Sequence, residues 1–64
     1  MIRKLAKMMK NMEVGDTMEI IRNDKVIHIT RIDIRGHFVV KTEKEQYTPV
    51  YSHTVIHWLM TDQI

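Results

Sequence analysis

Four histidines, two tyrosines, one phenylalanine and one tryptophan are the ring-bearing side chains of this 64-residue chain. Most of those suited to contacting a ligand fall in two short stretches, His37-Phe38 and Tyr51-Ser52-His53. Rings hold the bases of single-stranded nucleic acid by stacking, while hydrogen bonds read base edges and nearby cations attract phosphates. Phe38, His37 and His53 form such a set if the fold brings the start of one strand beside the later Tyr-x-His. Each has an ordinary alternative: Phe38 as a core side chain, His53 as a turn histidine bonded to backbone. His53 and His57 are four apart, so a helix would place both on one face with metal-ligand spacing. There is no cysteine to join them, and His28 and His37 belong to distant strands, so no metal site and no cofactor is expected. Catalysis has little to work with. Asp16, Asp24 and Asp33 show no paired-carboxylate pattern, adjacent Ser52-His53 do not align a nucleophile with its base, and no glycine loop cradles a phosphate. A binding domain, not an enzyme, is expected.

The cations are unevenly placed. Arg3, Lys4, Lys7 and Lys10 lie within the first twelve residues, and all eight acids follow them, although the whole chain carries only +2. A basic start of this kind suits a polyanionic partner without identifying it. Sixty-four residues make one domain whose core alone gives marginal stability, and self-association is the usual remedy where disulfides and thiolate zinc sites are excluded. No apolar run is long enough to span a bilayer, and the N-terminus lacks the apolar region of a signal peptide. A cytoplasmic protein that does not enter membranes is expected.

These residues need elements to position them. Ile2, Leu5, Ala6, Met9 and Met12 recur at helical spacing, so residues 2–12 read as an amphipathic helix with Arg3, Lys4, Lys7 and Lys10 on its other side. Gly15-Asp16 turns the chain into a β region. Thr17–Arg22 and Lys25–Ile34 read as strands joined by a tight Asn23-Asp24 turn. The apolar alternation slips between Ile29 and Ile32, which predicts a bulge near Thr30-Arg31. After Gly36, His37–Thr42 forms a third strand. Glu43-Lys44-Glu45-Gln46 connects it to a fourth at Tyr47–Tyr51, with Pro49 at an edge or bulge. Ser52–Met60 stays ambiguous. Tyr51, Val55, Trp58 and Leu59 have helical spacing and Ser52 could cap a helix, yet Thr54, Val55, Ile56 and Trp58 favour strands.

The order of a basic helix, a strand meander and Val50-Tyr51-Ser52-His53-Thr54-Val55 resembles the Sm-like family, in particular its bacterial RNA-chaperone branch, the Hfq type. Tyr51-Ser52-His53 matches the branch's Tyr-Lys-His, Phe38-Val39-Val40 its Phe-Val-aliphatic strand, and Asn23-Asp24 its Asn-Gly hairpin. The spacing from Phe38 to Tyr51 fits without a gap, and one extra residue falls near Arg35-Gly36. The departures are definite. Ser52 replaces the motif lysine, Arg35-Gly36 stands where an aspartate is usual, Ile29 lies near the place of a strand glycine, and Ile20 replaces an aromatic used for stacking purines.

The resemblance implies a mainly β fold: a helix over about 2–12 capping a bent five-stranded open barrel over about 17–60, with a fifth strand near His57–Met60. It also implies a closed homo-oligomeric ring, most simply a hexamer. That ring would pair Gln46–Tyr51 with His57–Met60 of a neighbour and use Tyr47, Val50, Tyr51, Trp58 and Met60 as its interface. The expected partner is single-stranded, U-rich RNA in post-transcriptional regulation. Phe38 and His53 would hold bases with His37 beside them, and Lys7 and Lys10, then Arg3 and Lys4, would attract the backbone. The competing expectation is a small dimeric α+β module, an inhibitor or adaptor. Its last segment would be helical, with Trp58 and Tyr51 as anchors and six methionines, Met8, Met9 and Met12 among them, as an adaptable contact surface.

Overall fold

The computed structural model describes residues 2–64, with the side chain of Ile2 outside the described part. Helix α1 (Ile2–Lys10) leads into β1 (Thr17–Arg22), β2 (Lys25–Arg31), β3 (His37–Lys41), β4 (Val50–Tyr51) and helix α2 (Ser52–Met60). The strands form one antiparallel sheet in the order β1-β2-β3-β4. The chain is thus mainly β with an N-terminal helix, as its sequence suggests.

The helical stripe of α1 is real. Met9 is fully buried, Leu5 packs against the core, and Met12 is buried two residues beyond the helix end. Lys7 and Lys10 sit in the last turn, where the helix dipole favours cations. Gly15 (φ +93°) then reverses the chain, and the Asp16 carboxylate accepts the Glu13 amide at 2.9 Å. Asn23 and Asp24 both take left-handed φ values, 50° and 62°, the pairing a two-residue type I′ hairpin requires, and they set Arg22 opposite Lys25. Alternation then fixes the faces. Ile27, Ile29, Phe38 and Val40 point into the core beside Met18, Ile20 and Val50. Thr17, Glu19, Ile21, His28, Thr30, His37, Lys41 and Tyr51 occupy the alternate positions.

Three expectations are corrected. No bulge interrupts β2: its register with β1 and β3 is regular through Thr30 and Arg31. The slip in alternation marks the strand's end, because residues 32–36 leave the sheet as a loop that turns at Gly36 (φ +93°). The fourth strand is only Val50–Tyr51. Gln46 makes one isolated bridge to Lys41, and Pro49, which has no amide hydrogen to give, falls in the unpaired stretch between. Residues 57–60, expected as a fifth strand, belong to α2, and the sheet has four strands.

Burial decides α2. Val55 and Leu59, four apart, are both buried, with Ile56 and Trp58 packed around them. Ser52 does not cap this helix: Tyr51 holds the cap position with extended backbone, and no side chain bonds there. The C-terminal end is better tied. The Gln63 amide donates to the Trp58 carbonyl at 2.9 Å across Asp62 (φ 57°), a Schellman-type closure. Arg22 of β1 donates to the Leu59 carbonyl and pairs with Asp62.

With so small a core, single methylenes count. Ile29→Ala should destabilise the fold by about 2–5 kcal/mol and Ile29→Val by about 0.5–1.5 kcal/mol. The whole stability of such a domain is about 3–5 kcal/mol, so urea titrations should show the valine variant folded with a lowered midpoint and the alanine variant largely unfolded.

Candidate nucleic-acid interface

β3 begins at His37 and β4 ends at Tyr51, and the antiparallel register sets these two residues opposite each other. Their rings lie with centroids 4.3 Å apart at 30°. His53, in the first turn of α2, continues the series: its ring is 5.9 Å from Tyr51 and nearly parallel, at 14°. Three rings therefore form a ladder at the β4 edge of the sheet, and Tyr51 and His53 are exposed.

The ladder borders an open cleft of about 590 Å³ between α1, the β2–β3 loop and the start of α2. Ala6, Met9 and Lys10 line it from α1, Arg31, Arg35, Gly36 and Phe38 from the sheet side, and Tyr51, Ser52 and His53 from the third side. Among the described residues that line it there are three cations and no acid. Lys10 and Arg35 are exposed and make no ion pair or side-chain hydrogen bond among the described residues, so their charge is free for an anion. Other hollows lack this polarity. One of about 250 Å³ near the C-terminal residues is lined by Lys25 and Lys44 together with Glu43 and Glu45. Another, on the outward face of the sheet, sets Glu19 and Glu43 against Lys41.

His37 is held from below by Asp33. One Asp33 oxygen accepts the His37 amide at 3.0 Å, and the other lies 2.7 Å from the ring Nδ1. These bonds favour the carboxylate. The His37 amide first, then its ring and charge, with the Gly36 amide, hold Asp33 below its ordinary value of 3.8 against the opposing effect of desolvation. Away from the cleft, burial and the adjacent Glu45 carboxylate push the Tyr47 hydroxyl up.

Of the residues expected to bind RNA, His37, His53, Lys10 and Phe38 gather at this place. Phe38 is only 3% exposed and belongs to the core, so its ring forms the cleft floor and is not a free stacking face. Arg3, Lys4 and Lys7 are exposed on α1 but do not line the cleft. Sequence reasoning missed Arg35, which stands at the turn where it registered only a missing aspartate. Tyr51, expected at a subunit interface, is exposed and lines the cleft. Of the other expected interface residues, Tyr47 and Trp58 pack on each other, 5.2 Å between centroids, and cover the chain's own core with Val50, while Met60 is 63% exposed. His53 and His57 do share α2, but among the described residues no three His, Asp or Glu side chains are grouped closely enough to hold a metal ion. No described helix is long and apolar enough to cross a membrane.

No protein-family model, curated protein or solved structure matches the chain.

The Asp33–His37 bond gives a pH signature. Because the folded state lowers the Asp33 pKa, its contribution to stability is present above the ordinary carboxylate value and is lost as pH falls through the lower folded value. Urea midpoints of the wild type and Asp33→Asn should differ at about pH 5 and converge as pH falls below it. A difference that persists unchanged in strong acid would mean the carboxylate is not held in this way.

Proposed function

We propose that this protein is an RNA-binding protein, not an enzyme, and that it takes single-stranded RNA into the cleft between α1 and the β4 edge. The observation that carries the reading is the His37–Tyr51–His53 ladder, exposed at Tyr51 and His53, beside two unpaired cations, Lys10 and Arg35. Bases stack against the outer rings, and the backbone runs past the cations. The motif register of Phe38 with Tyr51-Ser52-His53 supports the Sm-like role of holding small RNAs or messages and aiding their pairing in the cytoplasm, with U-rich sequence as the first probe. Arg3, Lys4 and Lys7 extend the attractive field along α1 without touching the bound bases.

The same resemblance supports a homo-oligomeric ring, most simply a hexamer. The free edge of β4, with the exposed Tyr51 and Met60, would meet the neighbour. A bent five-stranded barrel in that assembly requires residues 57–60 to leave α2. One observation favours a second reading, the dimeric protein-binding module: the terminal segment is a helix, as that module expects.

Two measurements test the proposal. His53→Ala should weaken binding of an oligouridine by about 1–3 kcal/mol, the worth of one stacked base. Lys10→Ala or Arg35→Ala should lower the slope of log affinity against log salt by about 0.7, the share of one phosphate contact on a single strand. Phe38→Ala is a poor probe because it also opens the core. Unchanged affinity in all three site variants would sink the site. Sedimentation velocity at micromolar concentration addresses assembly: a ring supports the Sm-like reading, and a simple dimer that ignores RNA supports the protein-binding module.

A further inference from the structure

Arg31 lines the cleft and adds to its positive field, but each of its three nitrogens already donates to a backbone carbonyl. Nε donates to the Asp33 carbonyl at 3.0 Å, Nη1 to the Met12 carbonyl at 2.5 Å and Nη2 to the Ile34 carbonyl at 3.3 Å. Its backbone is pinned as well, the Arg31 amide to the Asp16 carbonyl at 3.0 Å and the Gly15 amide to the Arg31 carbonyl at 2.7 Å. One planar guanidinium thus joins the segment just after α1, which carries Lys10, to the loop that carries Arg35. A guanidinium presents its donors as a rigid fork, and that shape is what lets it bridge carbonyls from separate segments. The same loop carries the Asp33 carboxylate, which fixes His37, and His37 in turn stacks on Tyr51.

We propose that Arg31 is the positioning residue of the RNA cleft: it touches no phosphate, and it sets the loop so that Lys10, Arg35 and the His37–Tyr51–His53 ladder face one strand together. This rests on the RNA-binding reading above and assigns within it a role that charge alone would misassign. Three carbonyls hold the guanidinium in place by a bond to each of its nitrogens, whereas Lys10 and Arg35 have no such partners among the described residues and are free to turn toward a phosphate. The chain from Met12 through Arg31, Asp33 and His37 to Tyr51 is continuous in hydrogen bonds and ring contact.

Arg31→Lys separates the two roles, since an ammonium keeps the charge but cannot fork across three carbonyls. Oligouridine affinity measured over a range of salt should fall about tenfold, the order of losing one charge-assisted bond, with the salt slope unchanged. The ring-proton resonances of His37 should move while the amide spectrum elsewhere stays folded. Asp33→Asn cuts the next link without touching Arg31 and removes an acid near the cleft; positioning predicts a lower affinity where charge alone predicts a higher one, so it carries the test if Arg31→Lys fails to fold. Arg35→Ala is the contrast: lower affinity, a reduced salt slope and unmoved His37 resonances. Wild-type affinity in Arg31→Lys, or a loss with a reduced slope and unmoved His37 rings, would overturn the proposal. If the wild type binds no oligouridine, the RNA reading fails by itself. The His37 resonances of Arg31→Lys then decide the positioning role alone, moved in its favour and unmoved against it.

Discussion

A four-stranded sheet in so short a chain has one apolar face to cover and two short helices to cover it with. Val55 and Leu59 of α2 complete the enclosure around Val40 and Phe38, and Met9 closes it from α1. Apolar burial is worth about 1.5–3 kcal/mol for a fully buried aliphatic side chain, comparable with the entire net stability of a domain this size. A helix this short is marginal by itself in water, so α2 depends on this burial and on its tied end. Arg22 and the Gln63 amide occupy carbonyls that would otherwise be left unpaired. The contact reaches from the far edge strand to the last turn of the chain, and so holds the sheet and its cover in one register.

That constraint has a consequence for the edge of the sheet. Because residues 52–60 are spent on covering the core, no further strand among the described residues pairs with β4, and β4 itself is cut to two residues where the chain turns into the helix. Short edge strands are one way a sheet limits indiscriminate pairing. Here the abrupt strand-to-helix junction also brings Tyr51 and His53 together on the outside. The ladder accompanies the geometry that protects the core, since His53 meets the Tyr51 ring from the first turn of the covering helix.

Most of the architecture was legible where a strong local rule applied. The period of Leu5, Met9 and Met12 located α1, the Asn23-Asp24 pair located the hairpin, and alternation around Ile27, Ile29, Phe38 and Val40 located the buried face. It failed where local rules conflict. Ser52–Met60 carries helical spacing and β-favouring side chains at once, and only tertiary burial of Val55 and Leu59 resolves the choice. The lost alternation after Ile29 looked like a bulge because a strand that ends and a strand that slips leave the same trace in sequence. The site was half legible. Rings and Lys10 could be named from their types, but the convergence of Arg35 with them depends on the 32–36 loop, whose path is set by Arg31, Asp33 and Gly36 acting together.

The division of labour among the basic residues follows from their partners and not from their number. Arg22 and Arg31 have backbone carbonyls to satisfy, and their charge is spent inside the fold. Lys10 and Arg35 have none and face the cleft. Arg3, Lys4 and Lys7 lie exposed along α1 without lining it, and their charge reaches a Debye length, about 8–10 Å at physiological salt. On the proposed reading the resulting field would draw a polyanion to the α1 side, but field alone would not discriminate among polyanions. Discrimination would then fall to the ladder, because a paired duplex keeps its base faces covered and offers nothing to stack on Tyr51 or His53, whereas a single strand can splay a base outward. On that reading charge accounts for attraction, and the rings that extend the cross-strand pairing of His37 with Tyr51 account for the choice of a single strand.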